Sequence, residues 1–546
     1  MQEERERPPR PKRSREVLRT SIEVGAVVVL LIVVLALVGV VLHSGRGENK
    51  PPANTVIVSQ TQDFATLDPA LAQSAEAWEL EYATCAKLLN YPPRAGYRGT
   101  RLIPEVAESL PRVSADRLTY TFTVRPGWRF SDGTAVTAAS FAHAFERAVS
   151  PELASPAAPY LREVASWRAH GRTLTVHLRR VAPDFEQRLA LPYFCAVPVD
   201  TPNVQSDHLP SAGPFAIAHY THGRSVLLER NRYYHGPRPA RVGSILYRFG
   251  AFPSQIRLQL ERGEVDYGVV SPSAFASLAE KFKGDSKHLF VVPQPIVAYL
   301  ALNTQRPLFK DNPQLRRAVN FALNRPILAR LFGERGAVPA DEYLPPGFPG
   351  YQAEHLYPVD GPDLETAKKL ARGHLRGGKA VFLSCGSEAC KERALVVKDS
   401  LERIGLHVSI AANPGLGQFT LAGVKGTKFD IADVITRPDY GDPYALVDKL
   451  LDSRVIRAVG NTNISYFDDP QFDHAIDEAQ RMTGVARDRA YGRLGIAVAR
   501  TQAPLAAYAV LNARVFVSER VGCIRYQPVY GLDLSSICLS HQDAGS

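Results

Sequence analysis

Residues 118–151 read LTYTFTVRPGWRFSDGTAVTAASFAHAFERAVSP, and this stretch limits the fold more than any other in the chain. It opens with strict alternation: Leu118, Tyr120, Phe122 and Val124 face one way, and Thr119, Thr121, Thr123 and Arg125 the other. That is the period of a half-buried strand. Pro126-Gly127 ends the strand, and Asp132-Gly133 marks a second tight turn. Thr137 stands at an N-cap position, ahead of a helix with Phe141, Phe145 and Val149 on one face and Pro151 as its stop.

With 546 residues the chain has room for two or three domains, so core size does not limit it. Its net charge is +10, and seven Lys/Arg against four Glu in the first twenty residues account for three of these charges. Elsewhere the basic residues are scattered among acidic ones, with no Lys/Arg block and no aromatic interleaving. A nucleic-acid partner is therefore not expected. Residues 24–42 are uncharged and rich in Val and Leu, which is the length and composition of a membrane span. Arg10, Lys12, Arg13, Arg15 and Arg19 precede them, and only Arg46 and Lys50 follow closely. The positive-inside bias then puts the N-terminus in the cytoplasm and the rest of the chain outside. An uncleaved single-pass anchor is the expectation, with a cleaved and secreted form as its rival.

Six Cys in an exported chain suggest up to three disulfides, with fifteen possible connectivities. Closeness in sequence pairs Cys385 with Cys390 and Cys523 with Cys538, which leaves Cys85 with Cys195. No metal or cofactor is expected, because no Cys-x-x-Cys or His-x-x-x-His spacing stands near these cysteines.

Several phrases, in order, point to one family. The run R-P-G-W-R-F-S-D-G-T-x-V-T-A followed by F-x-x-x-F-E-R-A resembles the signature of the extracytoplasmic solute-binding proteins of the peptide/nickel (oligopeptide/dipeptide-binding) ABC transporters. Leu67-Asp68-Pro69-Ala70 resembles the opening of the family's first binding-lobe loop. Gly213-Pro214-Phe215 through Asn231 resembles its G-P-Y … L-x-R-N hairpin, and the P-P-G-F-P-G-Y run at 345–351 a further family loop. One departure is Ala139-Ser140, where the family usually has an acidic residue early in the helix; a weaker cap is expected. No Cys follows the apolar run, so the family's lipid anchor is not expected either.

The resemblance covers residues 55–546. It implies an α/β, two-lobed, periplasmic-binding-protein-like clam (type II, cluster C) with an extra subdomain, behind one N-terminal transmembrane helix. The expected organisation is a basic tail at 1–21, an anchor at 22–44 and a linker at 45–54. A first lobe with an inserted subdomain follows at 55–296, then a second lobe at 297–505, and 506–546 return to the first lobe. The lobes are expected to be crossed near 295–299 and near Tyr508. Alternating strands such as 380–383 and helices such as 393–404 support the α/β lobe. Long helices are also expected at 76–89 and 312–331.

Catalysis finds no support in the sequence, so an enzyme is not expected. Gly373 to Lys379 satisfies G-x-x-x-x-G-K, but Ala380 follows in place of Ser or Thr, and the glycines come after a helix and before a strand. That is a helix-to-strand turn. No G-x-S-x-G, H-E-x-x-H or G-x-G-x-x-G occurs.

Binding is implied by the resemblance at Asp439, in Asp439-Tyr440-Gly441-Asp442-Pro443. The matching Asp of peptide-binding relatives pairs with the peptide α-ammonium, and an ammonium leaving water needs a fixed carboxylate. Asp442 suits a turn cap instead. Thr436 and Arg437 match cleft-lining positions, and Gln73, Ser74 and Ala75 match a loop that contacts peptide backbone. Ala157 replaces a ligand-contacting Tyr, and Tyr508 lies on a return strand whose register is open. The implied function is a monomeric, tethered receptor that closes on an oligopeptide and delivers it to ABC permease subunits. Other readings are a tethered sensor or interaction module, a receptor for nickel or sugar, and an extracytoplasmic hydrolase.

Overall fold

The computed structural model describes residues 52–238, 240–282, 288–413 and 417–540. The expected tail and anchor at 1–44 lie outside these residues. Among the described residues, no helix is long and apolar enough to cross a membrane.

Two large sheets organise the described chain. One has five strands in the order Tyr267–Gly268, Thr55–Ser59, Ser244–Arg248, Ser225–Arg230, Phe215–Thr221. Thr55–Ser59 runs parallel to both neighbours, and the rest are antiparallel hairpin partners. The second sheet has six strands, in the order Ala337–Pro339, Leu505–Phe516, Leu289–Leu302, Ile431–Thr436, Lys379–Cys385, His407–Asn413. Its middle is buried on both faces: Val297, Tyr299 and Ala301 enter one core, and Ala298, Leu300 and Leu302 the other. Alternation into two cores is why this run is apolar without a polar face.

Leu289–Leu302 and Leu505–Phe516 also join the two halves. Phe290, Val292, Ala513 and Val515 pack on the core beneath the five-stranded sheet, whereas Val297, Leu505 and Val510 belong to the six-stranded one. The register between these strands shifts between Pro293 and Val297. Residues beyond 520 pack back on the first core through Val521, Tyr530, Leu534 and Ile537.

The stretch at 118–151 builds a separate antiparallel sheet, Arg112–Val113, Thr119–Thr123, Thr173–Leu178, Val164–His170. Tyr120, Phe122 and Val124 are buried as their alternation requires. Gly127 and Gly133 take the left-handed backbone of the two turns, at φ 85° and 90°. The helix Ala138–Val149 buries Phe141 and Phe145, but Val149 is 42% exposed. Eight residues past Phe141 the helix has rotated about 80° off the face; Ala148, seven residues on, fills that place. At its start the Ser140 hydroxyl accepts the Thr137 N–H at 3.2 Å, so serine does the capping expected of an acid.

Two helices end earlier than their patterns suggest. The first stops at Thr84, where Cys85 turns extended. The second divides into Pro313–Ala322 and Arg325–Arg330. Pro326 has no N–H to continue it, and the Asn324 side chain caps the new start by accepting the Ile327 N–H at 3.2 Å. All three disulfides form as paired from spacing: Cys85–Cys195, Cys385–Cys390 and Cys523–Cys538. The G-x-x-x-x-G-K run is the turn between the helix Leu364–Ala371 and the strand Lys379–Cys385.

Buried ion pairs fix the loops. Asp68 and Arg147 are both fully buried and pair through two contacts, at 3.0 and 2.7 Å. The two phrases that carry the resemblance in this half, L-D-P-A and F-E-R-A, therefore meet each other.

Candidate functional site

The strand Ile431–Thr436 ends at the boundary between the two halves, and residues 437–442 leave it to run along the first half. Arg437, Asp439, Tyr440 and Gly441 each contact a residue of that half. The Arg437 guanidinium lies 4.9 Å from the centre of the Trp78 ring, a cation–π distance. Asp439 accepts the Tyr160 hydroxyl at 2.7 Å on one oxygen and the Lys449 ammonium at 2.6 Å on the other. Tyr440 donates to buried Asp184 at 2.6 Å, and the Gly441 N–H donates to the Tyr91 hydroxyl at 2.9 Å. A side chain at 441 would put its Cβ 2.7 Å from that of Thr100, so only glycine allows this approach.

The facing wall is aromatic. Trp78 meets Tyr193 edge-on at 6.0 Å, Tyr193 stacks on Tyr160 at 5.8 Å, and Tyr160 meets Tyr440 edge-on at 6.4 Å. Trp78 is fixed by its indole N–H, which donates to the Ala72 carbonyl at 2.8 Å. Burial first, and the Asp439 charge second, hold the Tyr160 hydroxyl in its protonated, donating form. Glu186, Gln187, Gly441, Asp442 and Asp488 help line a cavity of about 660 Å³, and Gln187 accepts the Tyr91 hydroxyl at 2.7 Å.

The structure brings Arg437 against Trp78 of the helix Ala75–Thr84, and Asp439 against Tyr160. Thr436 is half-buried at the end of its strand, paired with Val297. Gln73, Ser74 and Ala75 are exposed at the start of the Trp78 helix, where the Ser74 hydroxyl caps the Ala77 N–H at 3.0 Å. Asp442 caps Tyr444 and pairs with Arg487 at 2.5 Å.

Tyr508 is a correction. It is fully buried inside the six-stranded sheet, and its hydroxyl donates to Asp433 at 2.7 Å. Leu505–Phe516 is an interior strand, and its alternation sends Tyr508 into the core with Leu300 and Phe382. Arg393 is likewise taken, paired with Asp433 at 3.1 Å.

Three residues escaped the sequence reading: Tyr160, Tyr193 and Lys449. Ala157 is buried, and Tyr160, three residues on, brings a ring to Asp439. Pro159-Tyr160 and Pro192-Tyr193 each sit in a short 3-10 turn, Ala158–Leu161 and Pro192–Phe194. A Pro-Tyr pair is the signal available for such turn-borne rings.

Glu79, next to Trp78, is buried and accepts the Leu532 N–H at 3.2 Å. Desolvation pushes its carboxyl from 4.5 up to about 8. The folded state then holds a proton that the unfolded chain releases above about pH 4.5. The resulting stabilisation is complete below that pH and is lost as pH rises through about 8. Glu79→Gln is expected to flatten the decline in stability between pH 5 and 8. Denaturation midpoints at pH 5, 6.5 and 8 measure this, and a slope equal to that of the parent chain would mean Glu79 is ionised in the fold.

Comparison with known proteins places the chain in a family. The family model described as "Bacterial extracellular solute-binding proteins, family 5 Middle" matches residues 101–456. The glutathione-binding protein GsiB of Escherichia coli O1:K1 is 26% identical over 367 residues, 66% of this chain and 70% of its own length. The probable D,D-dipeptide-binding periplasmic protein DdpA of Escherichia coli K12 is 24% identical over 448 residues, 79% of this chain and 84% of its own. Among solved structures, clavulanic acid biosynthesis oligopeptide binding protein 2 superposes with a TM-score of 0.77 at 24% identity, covering 89% of this chain and 95% of its own. DppA from Helicobacter pylori, in complex with the peptide STSA, superposes at 0.71 and 20% identity, over 89% and 98%. These likenesses establish the type II periplasmic-binding-protein fold. The matched family region runs through the helix Ala138–Val149 and the Asp439 turn and covers more than half of the sequence, so the chain belongs to the family 5 bacterial extracellular solute-binding proteins.

Proposed function

We propose that the chain is a membrane-tethered extracytoplasmic receptor that closes on an oligopeptide and hands it to the permease subunits of an ABC importer. One observation carries the reading: residues 437–441 of one half present charged and polar groups to the Trp78–Tyr193–Tyr160 wall of the other. Ligand entering there meets both halves at once, so it favours the closed form through its higher affinity for that form. Gln73, Ser74, Ala75 and Thr436 add exposed or half-exposed backbone and hydroxyl groups at the rim.

The moving bodies are the lobes at 55–296 and 297–505, with 506–546 returning to the first. The hinge is the paired strands Leu289–Leu302 and Leu505–Phe516 at their register shift. The four-stranded sheet with the helix Ala138–Val149 is the extra subdomain. Residues 24–42, uncharged and apolar, are the anchor. Glutathione, D,D-dipeptides and the peptide STSA, which the relatives' names give as ligands, share peptide-like chemistry, and this favours peptide over nickel or sugar.

Calorimetric titration of the full chain with a mixed tri- to pentapeptide pool, containing both free-amine and N-acetylated members, is expected to give binding heat. Arg437→Ala is expected to weaken it at least tenfold. No heat from the pool would replace peptide by a non-peptide solute, and unchanged affinity in the variant would remove Arg437 from the site.

A further inference from the structure

Asp439 lies on the segment proposed above to meet ligand, and its charge is already matched. The Lys449 ammonium sits 2.6 Å from one carboxylate oxygen, and the Tyr160 hydroxyl 2.7 Å from the other. Lys449 belongs to the helix Tyr444–Leu450, which follows the Asp439 turn directly in the chain. The pair is therefore local to one half and needs no contact with the other, whereas the Tyr160 bond reaches across. Both partners are mostly covered, with side-chain exposures of 24% and 20%. Such a pair is screened far less than one on the open surface. The neighbouring carboxylate Asp448 does not draw Lys449 away, because it faces Arg162 at 3.6 Å. Arg437, two residues before Asp439, adds another positive charge on the same segment, lying over the Trp78 ring.

We infer that Lys449 is a built-in counter-ion for Asp439 and selects ligands whose amino end is uncharged, such as N-acylated, lactam or pyroglutamyl peptides. The inference rests on the peptide-receptor reading and sharpens it. A free α-ammonium at Asp439 would be the second ammonium on one carboxylate, with Arg437 on the same turn. Like charges brought together in a partly dry site are a repulsive element, and repulsion against the wrong ligand is an effective route to specificity. An amide N–H or a lactam carries no such charge and can still donate to the remaining lone pairs of Asp439. The role that Asp439 has in the resemblance, pairing with a peptide α-ammonium, is thus performed here by a side chain of the protein itself.

The test compares two matched tri- to pentapeptide pools, one with free amines and one N-acetylated, by calorimetric titration of the full chain. The parent chain is expected to bind the acetylated pool about tenfold more tightly. Lys449→Met is expected to reverse that order, and Lys449→Arg, which keeps the charge, to preserve it. A parent chain that prefers free amines, or a Lys449→Met chain with the parent's order, would overturn the inference while leaving a peptide receptor in place. Absence of binding by either pool to any of the three chains would remove the peptide-receptor reading itself, and the inference with it. Should Lys449→Met fail to fold, the parent chain and Lys449→Arg still decide the order.

Discussion

Asp68→Asn is expected to lower the unfolding free energy by about 3–5 kcal/mol, the usual cost of removing one partner from a buried ion pair. Asp68 is inaccessible to solvent and accepts four contacts: two from Arg147 at 3.0 and 2.7 Å, the Ala70 N–H at 3.0 Å and the Ser206 N–H at 2.9 Å. Asparagine keeps the shape and one acceptor, but it puts an amide against the guanidinium and removes the compensating charge. Arg147 cannot swing to water, since it is 1% exposed and its other donors are held by the carbonyls of Pro202 and Val204. The pair joins the loop after Leu67 to the helix Ala138–Val149, so its loss loosens the contact between them. Guanidinium unfolding followed by tryptophan fluorescence reads the change. The exposed pair Arg172–Glu108, at 51% and 43% exposure, is the control, and Arg172→Ala should cost under about 1 kcal/mol. A loss below about 1 kcal/mol in Asp68→Asn would show that the guanidinium finds another partner. The double change Asp68→Leu with Arg147→Met should recover much of the loss, because it leaves no charge unpaired.

This pair also shows what was legible in the sequence. The phrases L-D-P-A and F-E-R-A named the family correctly, and chain order gave the fold, because local rules act over a few residues: the alternation at 118–124, the turns at Gly127 and Gly133, the disulfides at spacings of 5 and 15. The role of a phrase is another matter. Asp68 and Arg147 lie 79 residues apart, and no period links them. The candidate site divides in the same way. Arg437 and Asp439 were readable as a turn after a strand, but Tyr160 reaches Asp439 across 279 residues. Lys449 was within local reach, yet its direction depends on where the helix Tyr444–Leu450 begins, and a shift of one residue turns the side chain by about 100°. Tyr508 differs for another reason: residues 505–510 of its strand are buried on both faces of the six-stranded sheet, so either register sends the side chain into a core.

The second large effect is expected at Cys85–Cys195, whose removal by paired Ala substitution should cost about 5 kcal/mol. In the chain-entropy account a cross-link stabilises by limiting the unfolded ensemble, and the effect grows with the logarithm of the closed loop. Separations of 110, 15 and 5 residues then give about 5, 3 and 2 kcal/mol for Cys85–Cys195, Cys523–Cys538 and Cys385–Cys390. Denaturant midpoints of the three paired variants test the order, and equal losses would point to local packing instead. For the longest loop a second consequence follows from position. Cys85 directly follows the helix that carries Trp78, and Cys195 directly follows the turn that carries Tyr193. The disulfide therefore ties together the two supports of the aromatic wall that faces Arg437 and Asp439. Its loss should weaken ligand binding even at denaturant-free conditions where the fold persists, whereas loss of Cys523–Cys538, which pins the strands Val521–Gly522 and Cys538–Leu539, should lower stability and leave affinity unchanged.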